Sequence, residues 1–569
     1  MRKMNYDLSG GIFTLSTPTY SLSVDTAAAR ADVILDGTAF ARLDLRSAVN
    51  SFDGEKTITD SEPERPTFAG LNETDAGLEL VWKGRSSLWE KEYRLICSPL
   101  RFRYRLTVGG DGRVDSVNYF SGDLSSPYHG SEYEFSRGFY PCAPWKNEDK
   151  YYFKPGEKNH RWNVLMIPPM FCYSFGCEGI GTQLALGLAA RPGEHNFHSF
   201  DYIPHTDKWD TSFYLSTDQS GHTSVSGEWT APEIIGYGAR DEFDAMRKYS
   251  EYYFASGLAK TSPSKLPPRF WQGPLACGWI GQIMRGYEEK CSPTDFASEK
   301  FYEEYAASLK ANELHPTAII IDDKWQSLYA PAKVDTGKWP DMRGYIDRRH
   351  AEGIKTILWF KLWDAEGFED SLCVVDDGGA KRIDPSNPVV IRRLRESIHY
   401  LLSPEGLDAD GFKLDFAFFN PIGRGFTTYS GKYGTQLMYD YMELIYTAAK
   451  EAKPDALINC SPCHPYFAHL CDQARLHDYS YGERANLEVL EMRARLFAIA
   501  NPGKLIDTDN AGFNTRRDTM RWLMNQPKVG VPDLYSLTAY RDGVLTGEDI
   551  AAIAELWREY SERIDRMYD

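Results

Sequence analysis

Hydrophobic and polar positions change their rhythm once along this chain. Up to about Trp229, short alternating segments are separated by Gly, Pro, Asn and Asp. Ala31 to Leu35, Leu78 to Trp82, Phe102 to Val108, Val164 to Met170 and Ser212 to Leu215 read as strands. In the third of these, Phe102, Tyr104 and Leu106 share one face and Arg103 and Arg105 the other, as a half-buried strand requires. Short strands with frequent turn residues predict an antiparallel β-sandwich. Between Asp241 and Gly257 the spacing becomes helical, with Phe243, Met246, Tyr249 and Tyr253 on one side. Pro263, Pro267 and Pro268 then mark a boundary. The expected organisation is a sandwich domain over residues 1–240, a linker helix and Pro-rich boundary over 241–268, and a second domain over 269–569.

From Pro274 onward strand, loop and helix alternate. The strand candidates are Pro274 to Trp279, Thr317 to Ile321, Lys355 to Phe360, Gly411 to Phe416, Ala456 to Asn459, a short stretch near His477 to Tyr479, Lys504 to Ile506, and Leu534 to Leu537. Helical patterns lie between most of them, at Asp295 to Ala311, Asp341 to Glu352, Pro388 to Leu402 and Thr435 to Ala452, and Gly547 to Ile564 closes the series. Eight strands alternating with helices predict a (β/α)₈ TIM barrel. The fold class is therefore multidomain: an antiparallel sandwich followed by a barrel.

A barrel of this kind carries its site at the C-terminal strand ends, and the polar residues concentrate there. Strand two ends in Asp322-Asp323-Lys324-Trp325, and strand three runs into Trp359, Lys361, Trp363 and Asp364. Strand four carries Lys413 and Asp415, strand five ends in Asn459 and Cys460, strand six carries Arg475, His477 and Asp478, and strand seven ends in Asp507, Asp509 and Asn510. Lys413 and Asp415 lie two apart and point to one side of a strand, so an ammonium beside the carboxylate would keep it ionised, as a nucleophile needs. Taken alone the pair also fits a structural ion pair. A ring of carboxylates around one mouth favours catalysis. Two carboxylates and Trp platforms with no phosphate loop suit glycoside hydrolysis, one attacking the anomeric carbon and one delivering a proton. Asp415 fits the first role. Asp478 fits the second better than Asp472, which sits in a stretch from Phe467 to Leu476 that reads as helical, a surface or capping position. Asp322 and Asp323 both face the pocket only if their strand ends there. They would accept hydrogen bonds from sugar hydroxyls, with Trp325 covering an apolar sugar face, whereas a metal needs more oxygen ligands than two neighbours supply.

Composition narrows the partners. The net charge of −17 disfavours nucleic acid. No apolar stretch is long enough for a membrane span, and the N-terminus lacks the apolar segment of a signal peptide, so the expected location is cytoplasmic, or exported with a leader removed. Ten Cys in 569 residues do not suggest a disulfide scaffold. Cys460-Ser461-Pro462-Cys463-His464 has the spacing of a c-type haem attachment, and a Cys pair can hold zinc. Haem attachment needs export, and zinc would need a second ligand pair where His469 and Cys471 stand at odd spacing. A loop after strand five is the better reading, and no cofactor or metal is expected.

The second half resembles the α-galactosidase clan of glycoside hydrolases, family 36 with families 27 and 31 as neighbours, over about Trp271 to Tyr540. The residues that carry the resemblance are Asp322-Asp323-Lys324-Trp325 for an Asp-Asp-Gly-Trp motif, Trp339-Pro340, Gly353-Ile354-Lys355-Thr356 for a Gly-Leu-Lys-Thr strand, Lys413-Leu414-Asp415 for the nucleophile motif Lys-x-Asp, Cys460 after strand five, and Asp478 after strand six. An N-terminal β-sandwich also fits family 36. The resemblance implies a retaining α-glycosidase, typically an α-galactosidase, working through a covalent glycosyl-Asp415 intermediate. Asp322 and Asp323 would bind sugar hydroxyls, and Trp279, Trp359, Lys413 and Cys460 would line the pocket, beside Lys361 and Arg475 at the strand ends. The partner implied is an oligosaccharide or glycoside, and homo-oligomers are common in the family. Departures are Lys324 in place of Gly, Cys460-Ser461-Pro462-Cys463-His464-Pro465 in place of a Gly-rich segment, Lys361 and Trp363 where other residues are expected, and no C-terminal β-domain. These leave open another α-linked sugar, a transglycosylase, or a catalytically silent carbohydrate-binding protein on the same scaffold.

Overall fold

The computed structural model describes residues 4–142, 151–158, 167–205, 212–261, 265–476, 486–509, 515–539 and 543–569. The first half forms a large antiparallel sheet system whose long strands Phe102–Tyr119 and Ser212–Thr230 pair along most of their length, with one irregularity between Val114 and Ser116. Phe102, Tyr104, Leu106 and Val108 are buried, while Arg103 and Arg105 on the opposite face share Glu233. The described part of the expected strand from Val164 to Met170, residues 167–170, holds a bend and one bridge from Pro169 to Cys463.

The linker helix runs from Glu242 to Ala255, with Asp241 as its N-cap accepting from the Asp244 N–H. Its buried Met246, Tyr249 and Tyr253 join sandwich to barrel: the Tyr249 hydroxyl lies 3.0 Å from His464 Nε2, and the Ser250 hydroxyl donates to the Ile499 carbonyl at 2.7 Å.

The second half is a parallel barrel. Its strands are β1 (Leu275–Cys277), β2 (Ala318–Ile321), β3 (Lys355–Lys361), β4 (Gly411–Asp415), β5 (Leu457–Cys460), β6 (Gln473–Arg475), β7 (Leu505–Asp507) and β8 (Asp533–Leu534). From β1 to β7 each pairs in parallel with the next, and β8 pairs with β1. The ring closes where a bridge joins Asp507 to Val531, with the Val531 N–H donating to the Ile506 carbonyl at 2.7 Å. Gly411 (φ +149°) lets β4 approach β5, since a Cβ there would stand 2.1 Å from the Leu457 carbonyl oxygen.

Strand alternation divides the barrel residues into two cores. Leu275, Cys277, Ile320, Ile357, Leu457, Val531 and Tyr535 pack inside the ring. Ile319, Ile321, Phe360, Phe412, Leu414, Ile458, Cys460 and Ala474 face the helices outside it. Gly411, Lys413 and Asp415 therefore point inward on β4. The sixth strand lies earlier than its predicted place: Gln473–Arg475 forms it, and residues 477–485 lie outside the described set. Asp472, expected at the surface or as a cap, is buried just before β6, where its carboxylate accepts from Lys450 Nζ at 2.7 Å and from the Ile458 N–H at 2.9 Å. No helix among the described residues is long and apolar enough to cross a membrane.

Candidate active site

Polar side chains from most strands meet at the C-terminal end of the barrel. At the end of β4, Asp415 Oδ1 accepts from Arg475 Nη2 at 3.0 Å and from the Phe416 N–H at 2.8 Å. Its Oδ2 accepts from Trp359 Nε1 at 3.1 Å. Phe416, directly after this carboxylate, takes the left-handed backbone conformation (φ +60°). Three N–H donors among the described residues, one on a guanidinium, thus fix a carboxylate that stays partly open to solvent, with a side-chain exposure of 18%.

The network continues below it. Arg475 Nη1 donates to Asp509 Oδ2 at 2.8 Å, and Tyr535 donates its hydroxyl to Asp509 Oδ1. Lys413 Nζ donates to the Tyr535 oxygen at 3.0 Å and to Asp322 Oδ2 at 2.9 Å. Charges of opposite sign follow one another from Asp322 through Lys413 and, by way of Tyr535, Asp509 and Arg475 to Asp415, so each ion of this series has a partner. Among the described residues, the cation paired with Asp415 is therefore Arg475 of β6. Lys413, expected in that role because it shares a face with Asp415, reaches past β3 to Asp322 instead. Burial opposes the Lys413 charge, but Asp322 and Cys277 outweigh it and hold the ammonium well above its ordinary pKa.

β2 ends at Ile321, so the two carboxylates that follow diverge. Asp322 turns down into the floor, where it also accepts from Cys277 Sγ at 3.1 Å. Asp323 stays at the mouth. Burial, assisted by the charges of Asp322 and Asp415 and opposed by the Tyr329 hydrogen bond and Lys361, raises its pKa to about 6. Lys361 ends β3 and pairs with Asp364 at 2.8 Å.

Other expected site residues lie elsewhere. Trp325 is fully buried and donates its indole N–H to the Trp359 carbonyl at 2.8 Å, so it has no face to offer a sugar. Cys460 lies on the outward face of β5 near the Leu470 carbonyl, because Asn459 takes the inward position and donates to Asp507 at 2.6 Å. Trp279 is the first residue of a helix, Trp279–Glu289, rather than the end of β1, and packs partly buried on the barrel interior. Asp478 lies outside the described residues. Cys463 and His464 are buried beneath the sandwich, and burial lowers the His464 pKa. Among the described residues no cluster of His, Cys, Asp and Glu is arranged to hold a metal ion.

Sequence reasoning missed Tyr535, Cys277, Asp533 and Tyr329. The first three were accessible from period-two alternation, since Asp533 and Tyr535 share the inward face of β8 and its continuation. Tyr329 lies in a loop hairpin with no periodic pattern.

No protein-family model matches the chain, and no curated protein sequence matches it. Solved structures do. A GH31-family sulfoquinovosidase from E. rectale with an aza-sugar inhibitor aligns at TM-score 0.57 and 13% identity, over 98% of this chain and 83% of that one. The cycloalternan-forming enzyme from Listeria monocytogenes in complex with a pentasaccharide aligns at TM-score 0.55 and 11% identity, over 98% of this chain. The α-galactosidase from Lactobacillus brevis aligns at TM-score 0.50 and 11% identity, over 96% of this chain and 83% of that one. The chain shares its fold with glycoside hydrolases. Sandwich and barrel are both included in the match. The chain spans 59% and 60% of two Listeria monocytogenes chains it resembles. At these identities the likeness is one of fold, and function rests on the site.

Proposed function

We propose that the chain is a retaining α-glycosidase of the α-galactosidase clan, similar to family 36, acting on a terminal α-linked sugar, with galactose the first candidate. The observation that carries this reading is the Asp415 carboxylate: it stands at the end of β4, points into the mouth, and is fixed by Arg475, Trp359 and the Phe416 N–H. Such a group is placed to attack an anomeric carbon. Asp415 Oδ forms the bond to that carbon as the glycosidic oxygen leaves with a proton from Asp478. Water, deprotonated by Asp478, then displaces Asp415 and releases the sugar with its original anomeric configuration. Asp323 accepts a hydrogen bond from a sugar hydroxyl, and Trp359 and Lys361 border the same space. Asp322 and Lys413 form the charged floor. A retaining pair places the Asp415 and Asp478 carboxyls about 5–5.5 Å apart.

The test is a panel of nitrophenyl α- and β-glycosides with Asp415→Ala alongside. Release from an α-glycoside, reduced at least about a thousandfold in the variant, is expected. A 2-deoxy-2-fluoro glycoside of the same sugar with a good leaving group should lose that group and leave its fluoroglycosyl residue, by mass, on the peptide containing Asp415. Release from that glycoside with inverted product configuration by proton NMR would overturn the retaining mechanism. Sugar binding without turnover would instead support the silent binding protein.

A further inference from the structure

The loop after β2 brings an unexpected tyrosine to the mouth. The Tyr329 hydroxyl donates to Asp323 Oδ1 at 2.7 Å. Its backbone N–H donates to Glu366 Oε2 at 3.0 Å, and Lys324 Nζ donates to the same oxygen at 2.7 Å. The Ala330 N–H donates to the Glu366 carbonyl at 3.2 Å, so this hairpin is fastened to the loop that follows β3. Two ammonium groups stand over the Tyr329 ring: Lys324 Nζ is 3.7 Å from its centroid and Lys361 Nζ 4.1 Å. The ring lies 5.9 Å from that of Trp359, whose indole holds Asp415.

Lys324 occupies a left-handed backbone position (φ +74°), where any side chain larger than hydrogen costs roughly 1 kcal/mol. A residue held there persists when its surroundings determine it, and such positions gather at sites that need fixed geometry. The Lys324 side chain gains one ring, that of Tyr329, and one carboxylate, that of Glu366 in the loop to which the Tyr329 hairpin is fastened. Asp323 Oδ1 is occupied by the phenol, while Oδ2 has no protein donor among the described residues.

We infer that Lys324, Tyr329 and Lys361 form a clamp in which Tyr329 is a positioning residue, fixing Asp323 so that a single oxygen, Oδ2, accepts one sugar hydroxyl. This rests on the glycosidase reading and adds a specificity rule to it: Asp323 does not bridge two neighbouring hydroxyls. The groups facing Asp323 are Tyr329 and Lys361, which favour its charged form, and Asp322 and Asp415, which oppose it. Removing the phenol hydroxyl therefore pushes the Asp323 pKa upward.

Three variants test the clamp. On the glycoside that wild type hydrolyses, Lys324→Gly should keep or raise the thermal midpoint, because the backbone strain is relieved. Its kcat/KM should fall about tenfold, carried mainly by KM. Tyr329→Phe should move the acidic limb of the kcat/KM profile to higher pH. Lys324→Gly with kcat/KM within about twofold of wild type would overturn the clamp. A readout without substrate separates this from the function itself. Infrared difference titration of wild type against Asp323→Asn isolates the Asp323 carboxyl, and the same difference is taken in the Tyr329→Phe background. An unmoved titration overturns the clamp whether or not any glycoside is cleaved. A shifted titration with no turnover retains the clamp's hold on Asp323 and removes the glycosidase reading.

Discussion

At the scale of single residues, the site is a chain of buried charges in which each member has a task. Arg475 is almost fully buried and serves both Asp415 and Asp509. Arg475→Met would leave the Asp509 carboxylate without its guanidinium in a buried position, a loss worth about 3–5 kcal/mol. Urea unfolding should show a matching fall in stability, and a change below about 1 kcal/mol would mean that the pairing is not what holds these groups. A surface pair gives the contrast: Arg558, paired with Glu555 and 66% exposed at its side chain, should lose less than about 0.5 kcal/mol when replaced by Ala.

At the scale of elements, strand alternation assigns chemistry and packing to opposite faces. On β4 the inward positions hold Lys413 and Asp415, and the outward positions hold Phe412 and Leu414 against the helices. The helix Pro388–Leu402 shows the same division with a period near four. Val390, Leu394, Ile398, Leu401 and Leu402 are buried, whereas Arg392 is exposed. Ile398→Ala should cost about 2–5 kcal/mol and Arg392→Ala less than about 0.5 kcal/mol. Denaturant midpoints of the two variants check this, and equal costs would refute the burial pattern.

At the scale of the whole molecule, the barrel interior carries more carboxyls than cations, and this couples stability to pH. Burial, with the charge of Asp509, raises the Asp507 pKa to about 6. Asp533 is shifted upward too, by burial and by the neighbouring Asp507 and Asp509. A group raised in the folded state contributes stability that is full below its unfolded pKa and lost as the pH rises through the folded value. The Asp507 contribution is thus present below about pH 4 and is lost as the pH passes about 6. Asp507→Asn should gain stability relative to wild type between about pH 4 and 7, on the order of 1–3 kcal/mol. Thermal midpoints across that range provide the measurement, and a difference that stays flat with pH would exclude an ionising Asp507. Sandwich and barrel are also joined by charge. Arg424 donates to Asp115 Oδ2 at 2.6 Å, and the Thr57 hydroxyl accepts from the same guanidinium.

The sequence by itself determined the local periods, and with them the architecture. Alternation at Phe102 to Val108, helical spacing in Pro388 to Leu402 and the repeated strand–helix order are properties of neighbouring residues, and the structure keeps most of them within a few positions. The strand expected from Val164 to Met170 is not formed by its described residues 167–170. β6 is displaced as well. It spans three residues, too few to show a period, so it was expected near His477 and lies at Gln473–Arg475. The ring of strand-end carboxylates was legible for the same reason, because strand ends follow from strand periods. Which cation meets which carboxylate was not. Lys413 and Asp415 are close in sequence, yet Lys413 reaches Asp322 and Asp415 takes Arg475, since the barrel interior brings together side chains from alternate strands. Tertiary structure alone buried Trp325, turned Cys460 outward, and brought Tyr329 from a loop without periodicity onto Asp323. Pairing across a closed ring depends on how distant segments pack, and no local pattern encodes it.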